Sequence, residues 1–196
     1  NFGCPSMDLL ESDNLEINIQ NMKSYSGLGS QIQWDEPYIL AIQHPVTTSF
    51  GKGLEQINET LLSLKEFSEY QKIVLWPNVD AGTDDVSKGI RLFRERGEDN
   101  KFAYFKNFSP TDFSRVINNA SCCVGNSSSF IREGSYLGVP SVIVGDRQKG
   151  REHGKNVLFA TYSKKDIVYK IEKQLIKKRF KNEGIFGYGE AGKKIS

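Results

Sequence analysis

Cys122-Cys123-Val124-Gly125-Asn126-Ser127-Ser128-Ser129-Phe130-Ile131-Arg132-Glu133 is the stretch on which the fold turns. Cys122 to Val124 reads as a short buried strand that stops at Gly125-Asn126. Three serines then lead into Phe130, Ile131, Tyr136 and Leu137, whose spacing predicts a helix beginning near Ser127. A strand, a tight turn of small residues and a helix N-terminus together make an anion site. The first helical turn leaves backbone N–H groups without partners, and the helix dipole adds partial positive charge. Such a turn can cradle a diphosphate. Glu133 follows one to two turns down the same helix, where a carboxylate can accept hydrogen bonds from the two hydroxyls of a ribose. Read alone, the segment serves equally well as a set of helix-capping serines.

Outward from this turn the same unit recurs. A strand over 37–43 runs into His44-Pro45-Val46-Thr47-Thr48, and Leu54, Ile57, Leu61 and Leu64 then give one apolar helical stripe. A second strand over 72–76 ends in Pro77-Asn78-Val79-Asp80-Ala81-Gly82, followed by a helix marked by Val86, Ile90 and Phe93. A third over 102–105 leads past Pro110 to a helix carrying Phe113, Val116 and Ile117. After the serine turn come strands over 141–144 and 157–160 and a helix with Ile167, Ile171 and Leu175. Strands each followed by a helical or loop crossover specify an α/β, Rossmann-like, doubly wound parallel sheet. The expected organisation is a leading helix or linker over 1–35, with residues 11–35 as loop or weak helix. A Rossmann-like nucleotide-binding domain follows over 36–182, and a C-terminal tail or helix start over 183–196.

At 196 residues and 22.1 kDa, one well-buried domain fits and two would be cramped. A net charge of +2 gives no bias towards nucleic acid or an anionic membrane, so neither is expected as a partner. Lys164-Lys165 and Lys177-Lys178-Arg179 read as the solvated face of a late helix. Cys4, Cys122 and Cys123 are an odd set, two of them adjacent on a strand, which points to reduced thiols in a cytoplasmic protein. Two histidines and no CxxC or HExxH give no reason to expect a metal, and no cofactor is expected. No apolar run approaches the roughly 20 residues of a membrane span, and no signal peptide is visible. A chain that begins at Asn1 is expected to be a piece of a longer polypeptide.

In open α/β sheets ligands sit beyond the C-terminal ends of the strands. His44, Asn78, Asp80, Asn126 to Ser129, Arg147 and Arg151 all fall there. His44 can donate to a phosphate or move a proton near neutral pH, or be an ordinary loop histidine. Arg147 beside a diphosphate makes charge-assisted bonds of about 1.5–3 kcal/mol each; alone it equally pairs with a surface carboxylate. The segment 145–151 sets two arginines and a lysine among glycines, the composition of an anion-facing loop. Asn78 and Asp80 equally shape a turn, being residue types that turns prefer.

Taken in order, Gly3-Cys4-Pro5-Ser6 with Asp8, His44-Pro45-Val46-Thr47-Thr48, Pro77-Asn78-Val79-Asp80-Ala81-Gly82, Gly125-Asn126-Ser127-Ser128-Ser129 with Glu133, Gly145 with Arg147-Gln148 and Gly150-Arg151, Asn156-Val157, and Tyr188-Gly189 with Ala191 span nearly the whole chain. They closely resemble the C-terminal half of the UDP-N-acetylglucosamine 2-epimerase family. His-Pro-Val-Thr and Gly-Asn-Ser-Ser-Ser look like its hydrolysing branch, which points to sialic-acid-type sugar biosynthesis. The resemblance implies one half of a glycosyltransferase-B-like two-domain fold, with the active site in the cleft between the halves.

Carried onto matching positions, Ser127 and Ser128 bind the UDP diphosphate with Asn126 and Ser129 beside them, and Glu133 binds the ribose. Arg147 and the catalytic His44 flank the phosphates, and Asn78 is similar to a cleft residue. Phe130, where a small residue is usual, and Thr83-Asp84-Asp85 depart from the pattern, and the second puts a family-type feedback site for a CMP-sugar in doubt. The implied reaction is anti elimination of UDP to a 2-acetamidoglucal, then addition of water to release the 2-epimer, such as N-acetylmannosamine. The proton-moving carboxylates would lie chiefly in the missing N-terminal Rossmann-like domain, so the implied partners are that domain, a nucleotide-sugar substrate and further copies in a homo-oligomer. The rival readings are the donor-nucleotide domain of a glycosyltransferase-B enzyme and a non-catalytic nucleotide-sugar binding module.

Overall fold

The computed structural model describes residues 3–12, 14–49, 51–97 and 99–195. Its strands are β1 (Leu28–Gly29), β2 (Tyr38–Ile42), β3 (Gln71–Leu75), β4 (Phe102–Phe105), β5 (Cys122–Gly125), β6 (Ser141–Val144) and β7 (Val157–Ala160). They form one sheet in the order β1-β4-β3-β2-β5-β6-β7. From β4 to β7 every pairing is parallel, as the strand–crossover pattern requires. All residues of β2, β4, β5 and β6 are buried, which is why these segments read as continuous apolar runs and not as alternating ones.

Helices α3 (Gly53–Lys65), α4 (Thr83–Glu95) and α7 (Lys164–Ile176) cover one face, through Ile57, Leu61, Leu64, Val86, Ile90, Phe93, Ile167 and Ile171. On the other, α5 (Pro110–Asn119) and α6 (Ser128–Leu137) contribute Val116, Ile117, Phe130 and Ile131. Phe130 is wholly buried in that layer, which gives the departure at this position a packing role.

The expected strands lie within a residue of where the pattern put them. Residues 11–35 hold more than a loop or weak helix. They contain α2 (Ile19–Met22) and β1, which pairs antiparallel with β4, and Met22 and Ile32 enter the core. The first and last helices meet: the Asp8 carboxylate of α1 (Ser6–Ser12) accepts from Ala191 N–H at 3.0 Å and Gly192 N–H at 2.7 Å, at the start of α8 (Ala191–Ile195). Among the described residues no helix is long and apolar enough to cross a membrane.

The sheet reverses its winding between β2 and β5, and this switch point opens a crevice at the C-terminal edge of the two strands. Ile42 and Gly125 are register partners there. Gly125 has φ 133°, and a Cβ on it would lie 2.0 Å from the Ile42 carbonyl oxygen, so only glycine lets the strands meet this closely before each turns into its loop.

Candidate functional site

Asn126 leaves β5 with its backbone N–H on Ile42 O at 3.0 Å and its side chain fully buried. Its Oδ1 accepts from His44 N–H at 2.7 Å and its Nδ2 donates to His44 O at 2.8 Å. One donor and one acceptor site of its amide are thus spent on the β2 loop. Its own carbonyl oxygen accepts from Gln148 Nε2 at 2.8 Å and Arg147 Nη1 at 3.3 Å. One residue thus anchors the loops after β2, β5 and β6.

Ser127 is the N-cap of α6, its Oγ accepting from Ser129 N–H at 3.3 Å, so helix capping is one of its roles. The α6 N-terminus opens on a cavity of about 360 Å³ whose lining includes His44, Asn78, Ser127 and Ser129 together with Trp76, Lys106, Phe108 and Phe113. A neighbouring cavity of about 510 Å³ is walled by Pro45, Thr47, Thr48, Asp80 and Arg147. The expected residues His44, Asn78, Ser127 and Ser129 therefore share one space, and Arg147 stands beside it. Ser128 and Glu133 line neither cavity.

His44 is 7% exposed, and its Nδ1 accepts from Asn78 N–H at 3.2 Å. An acceptor nitrogen carries no proton, so the neutral ring presents Nε2–H. Burial, and after it the charge of Arg147, lower its pKa, against a smaller opposing pull from Asp80. At neutral pH His44 is thus an uncharged donor. Arg147 faces Asp80 across 3.6 Å, so the carboxylate it meets belongs to another site loop.

Glu133 keeps one oxygen 3.3 Å from Arg132 Nη2, while Oε2 is buried and without a hydrogen-bond partner. Burial raises its pKa above the ordinary 4.5. Among the described residues no three His, Cys, Asp or Glu side chains group closely enough to hold a metal ion. Trp76, Lys106, Phe108 and Gln148 were not legible as site residues. Trp76 and Lys106 directly follow β3 and β4, so the rule that ligands gather at strand ends is the signal that finds them.

A sequence model of the family described as UDP-N-acetylglucosamine 2-epimerase matches residues 1–196. The chain belongs to the UDP-N-acetylglucosamine 2-epimerase family. A UDP-N-acetylglucosamine 2-epimerase of Neisseria meningitidis is 30% identical over 189 residues, 96% of this chain and 47% of the relative. The polysialic acid biosynthesis protein P7 of Escherichia coli is 31% identical over 67% of this chain and 33% of its own length. The chain thus spans about half the length of this Neisseria relative. In fold it is similar to the Methanocaldococcus jannaschii UDP-GlcNAc 2-epimerase solved with UDP-GlcNAc and UDP, with a TM-score of 0.72 at 19% identity. That match covers 99% of this chain and 52% of the other.

Proposed function

We propose that this chain is the nucleotide-binding, C-terminal half of a hydrolysing UDP-N-acetylglucosamine 2-epimerase that releases UDP and N-acetylmannosamine, or a related 2-epimeric sugar, for sialic-acid-type biosynthesis. The observation that carries the reading is the Asn126 anchor, which sets a neutral imidazole donor, a guanidinium and a helix N-terminus around one crevice. The names of the Neisseria and Escherichia relatives supply the sugar, and the His-Pro-Val-Thr and Gly-Asn-Ser-Ser-Ser segments supply the hydrolysing branch.

The chemistry follows from the charge that develops. In the elimination, a base from the other half takes the proton from C2 of the sugar. The C2–H electrons form the C1=C2 double bond, and the bond from C1 to the diphosphate oxygen breaks towards oxygen. The departing UDP gains negative charge as it leaves, so His44 Nε2–H, Arg147 and the first turn of α6 bind it more tightly in the transition state than in the substrate, which is the condition for rate acceleration. Water then adds to the glycal and gives the free 2-epimer. The aromatic side chains of Trp76, Phe108 and Phe113 in the cavity lining suit a base, and Glu133, one to two turns into α6 and outside that lining, is assigned to the ribose by the family resemblance alone.

Incubation of the full-length enzyme with UDP-N-acetylglucosamine, followed by NMR of the products, tests this. Free N-acetylmannosamine and UDP in equal amounts are expected. Retention of the sugar on UDP would place the enzyme in the non-hydrolysing branch, and turnover only with an added acceptor would make it a glycosyltransferase.

A further inference from the structure

The turn that brings Asn78 to His44 is tied by one side-chain hydroxyl together with two backbone bonds, Asp80 N–H to Asn78 O at 2.8 Å and Thr83 N–H to Asp80 O at 3.1 Å. Thr83, the first residue of α4, accepts from Asp80 N–H through Oγ1 at 3.0 Å, and the same oxygen lies 2.5 Å from Asn78 O and 2.6 Å from Asp80 O. Its one proton is shared between the two carbonyls. Gly82 before it is left-handed, with φ 90° and no side chain with which to cap the helix, so Thr83 does the closing. At the tip, Val79 is 100% exposed and packs on nothing, which leaves the shape of the turn to these internal bonds. The turn delivers two groups to the site: Asn78 N–H to His44 Nδ1 at 3.2 Å and the Asp80 carboxylate to within 3.6 Å of Arg147.

We infer that Thr83 is a positioning residue: its hydroxyl holds the Asn78–Asp80 turn so that Asn78 N–H stays on His44 Nδ1 and His44 stays in the Nε2–H tautomer. The tautomer of an imidazole is set by the bond its other nitrogen makes. If the Asn78 N–H drifts from Nδ1, the proton is free to move there, and Nε2 then turns a lone pair towards the leaving phosphate instead of a donor. The catalytic weight of this device rests on the function proposed above; the tautomer itself does not.

Histidine-labelled protein read by ¹⁵N NMR tests the inference, with the His44 signals assigned by their loss in a His44→Gln variant. In the wild type and in Thr83→Ser, His44 is expected to show a bare Nδ1 and a protonated Nε2. Thr83→Val, which keeps the shape and loses the hydroxyl, is expected to lose the single-tautomer signature. A protonated Nδ1 in the wild type overturns the inference without recourse to any variant, and an unchanged spectrum in Thr83→Val overturns it as well. UDP calorimetry on the same samples separates the two claims. A wild type that fails to bind UDP while its tautomer follows Thr83 removes the proposed function and supports the tautomer lock. UDP binding with a tautomer indifferent to Thr83 removes the lock alone.

Discussion

Asn126 closes on the peptide of His44 from both sides, accepting its N–H at 2.7 Å and donating to its carbonyl at 2.8 Å. All four atoms are buried, so truncation leaves two backbone groups without partners, at about 1–3 kcal/mol for each. Asn126→Ala should therefore lose stability on that scale in urea unfolding, and Asn126→Asp, which sets a buried carboxylate oxygen against the His44 carbonyl, should lose at least as much at neutral pH. An alanine variant with the wild-type midpoint would mean that the clamp carries no energy.

Arg147 is held at 3.3 Å by Asn126 O and faces Asp80 at 3.6 Å, so a diphosphate has to draw the guanidinium away from Asp80. Charge-assisted hydrogen bonds contribute about 1.5–3 kcal/mol, so Arg147→Ala should weaken UDP by about 10- to 150-fold and leave uridine unaffected. Asp80→Asn removes the competitor and should tighten UDP by at most about fivefold, since exposed pairs are worth about 0.2–1 kcal/mol. Calorimetry with both ligands reads these effects. Uridine losses equal to those for UDP would take Arg147 off the phosphates.

Lys72 stands second in β3, 1% exposed, with its ammonium 5.3 Å from the centre of the Phe102 ring. Burial first, and then the charge of Lys101, lower its pKa from 10.5 to about 8, with Glu69 opposing. Between about 8 and 10.5 the unfolded chain binds more protons at this site than the folded one, so the contribution of Lys72 to stability rises with pH across that window, while the buried thiols Cys122 and Cys123, whose pKa values are raised by burial, work the other way. Lys72→Met keeps the volume and removes the charge. It should be more stable than the wild type at pH 7, and its advantage over the wild type should shrink from pH 8 to 10.5 in urea unfolding. A variant destabilised at pH 7 that keeps the wild-type slope would show that the ammonium is held by the ring and not penalised by burial.

The parallel strands were legible because burial on both faces leaves uninterrupted apolar runs such as Ile39 to Ile42 and Val142 to Val144. β1 was not, because two exposed residues, Leu28 and Gly29, carry no period and owe their strand to the edge of β4. At the site, His44 and Ser127 fell where strand ends put them. The tie from Asn126 to His44 was not legible, because an asparagine in a turn looks the same whether its amide faces a ligand or a loop 82 residues away in sequence. Trp76 and Phe108 look like core aromatics until the fold sets them in the lining of one cavity with Ser127.

Glu133 carries a buried oxygen with no partner, and burial lifts its pKa above 4.5. A carboxyl whose folded pKa is raised binds its proton more readily in the folded state, so its contribution to stability is present below 4.5 and is lost as pH rises through the folded value. The free protein therefore holds a buried carboxyl oxygen without a partner, which a ribose hydroxyl would satisfy. Glu133→Gln removes the charge and should stabilise the unliganded protein at pH 7. The same change should weaken UDP by about 10- to 150-fold, the loss of a charged acceptor worth about 1.5–3 kcal/mol, and leave inorganic diphosphate unchanged. Stability and affinity moving in opposite directions is the mark of a group kept for a ligand. Equal losses for UDP and diphosphate, or an untouched UDP affinity, would show that Glu133 does not meet the ribose.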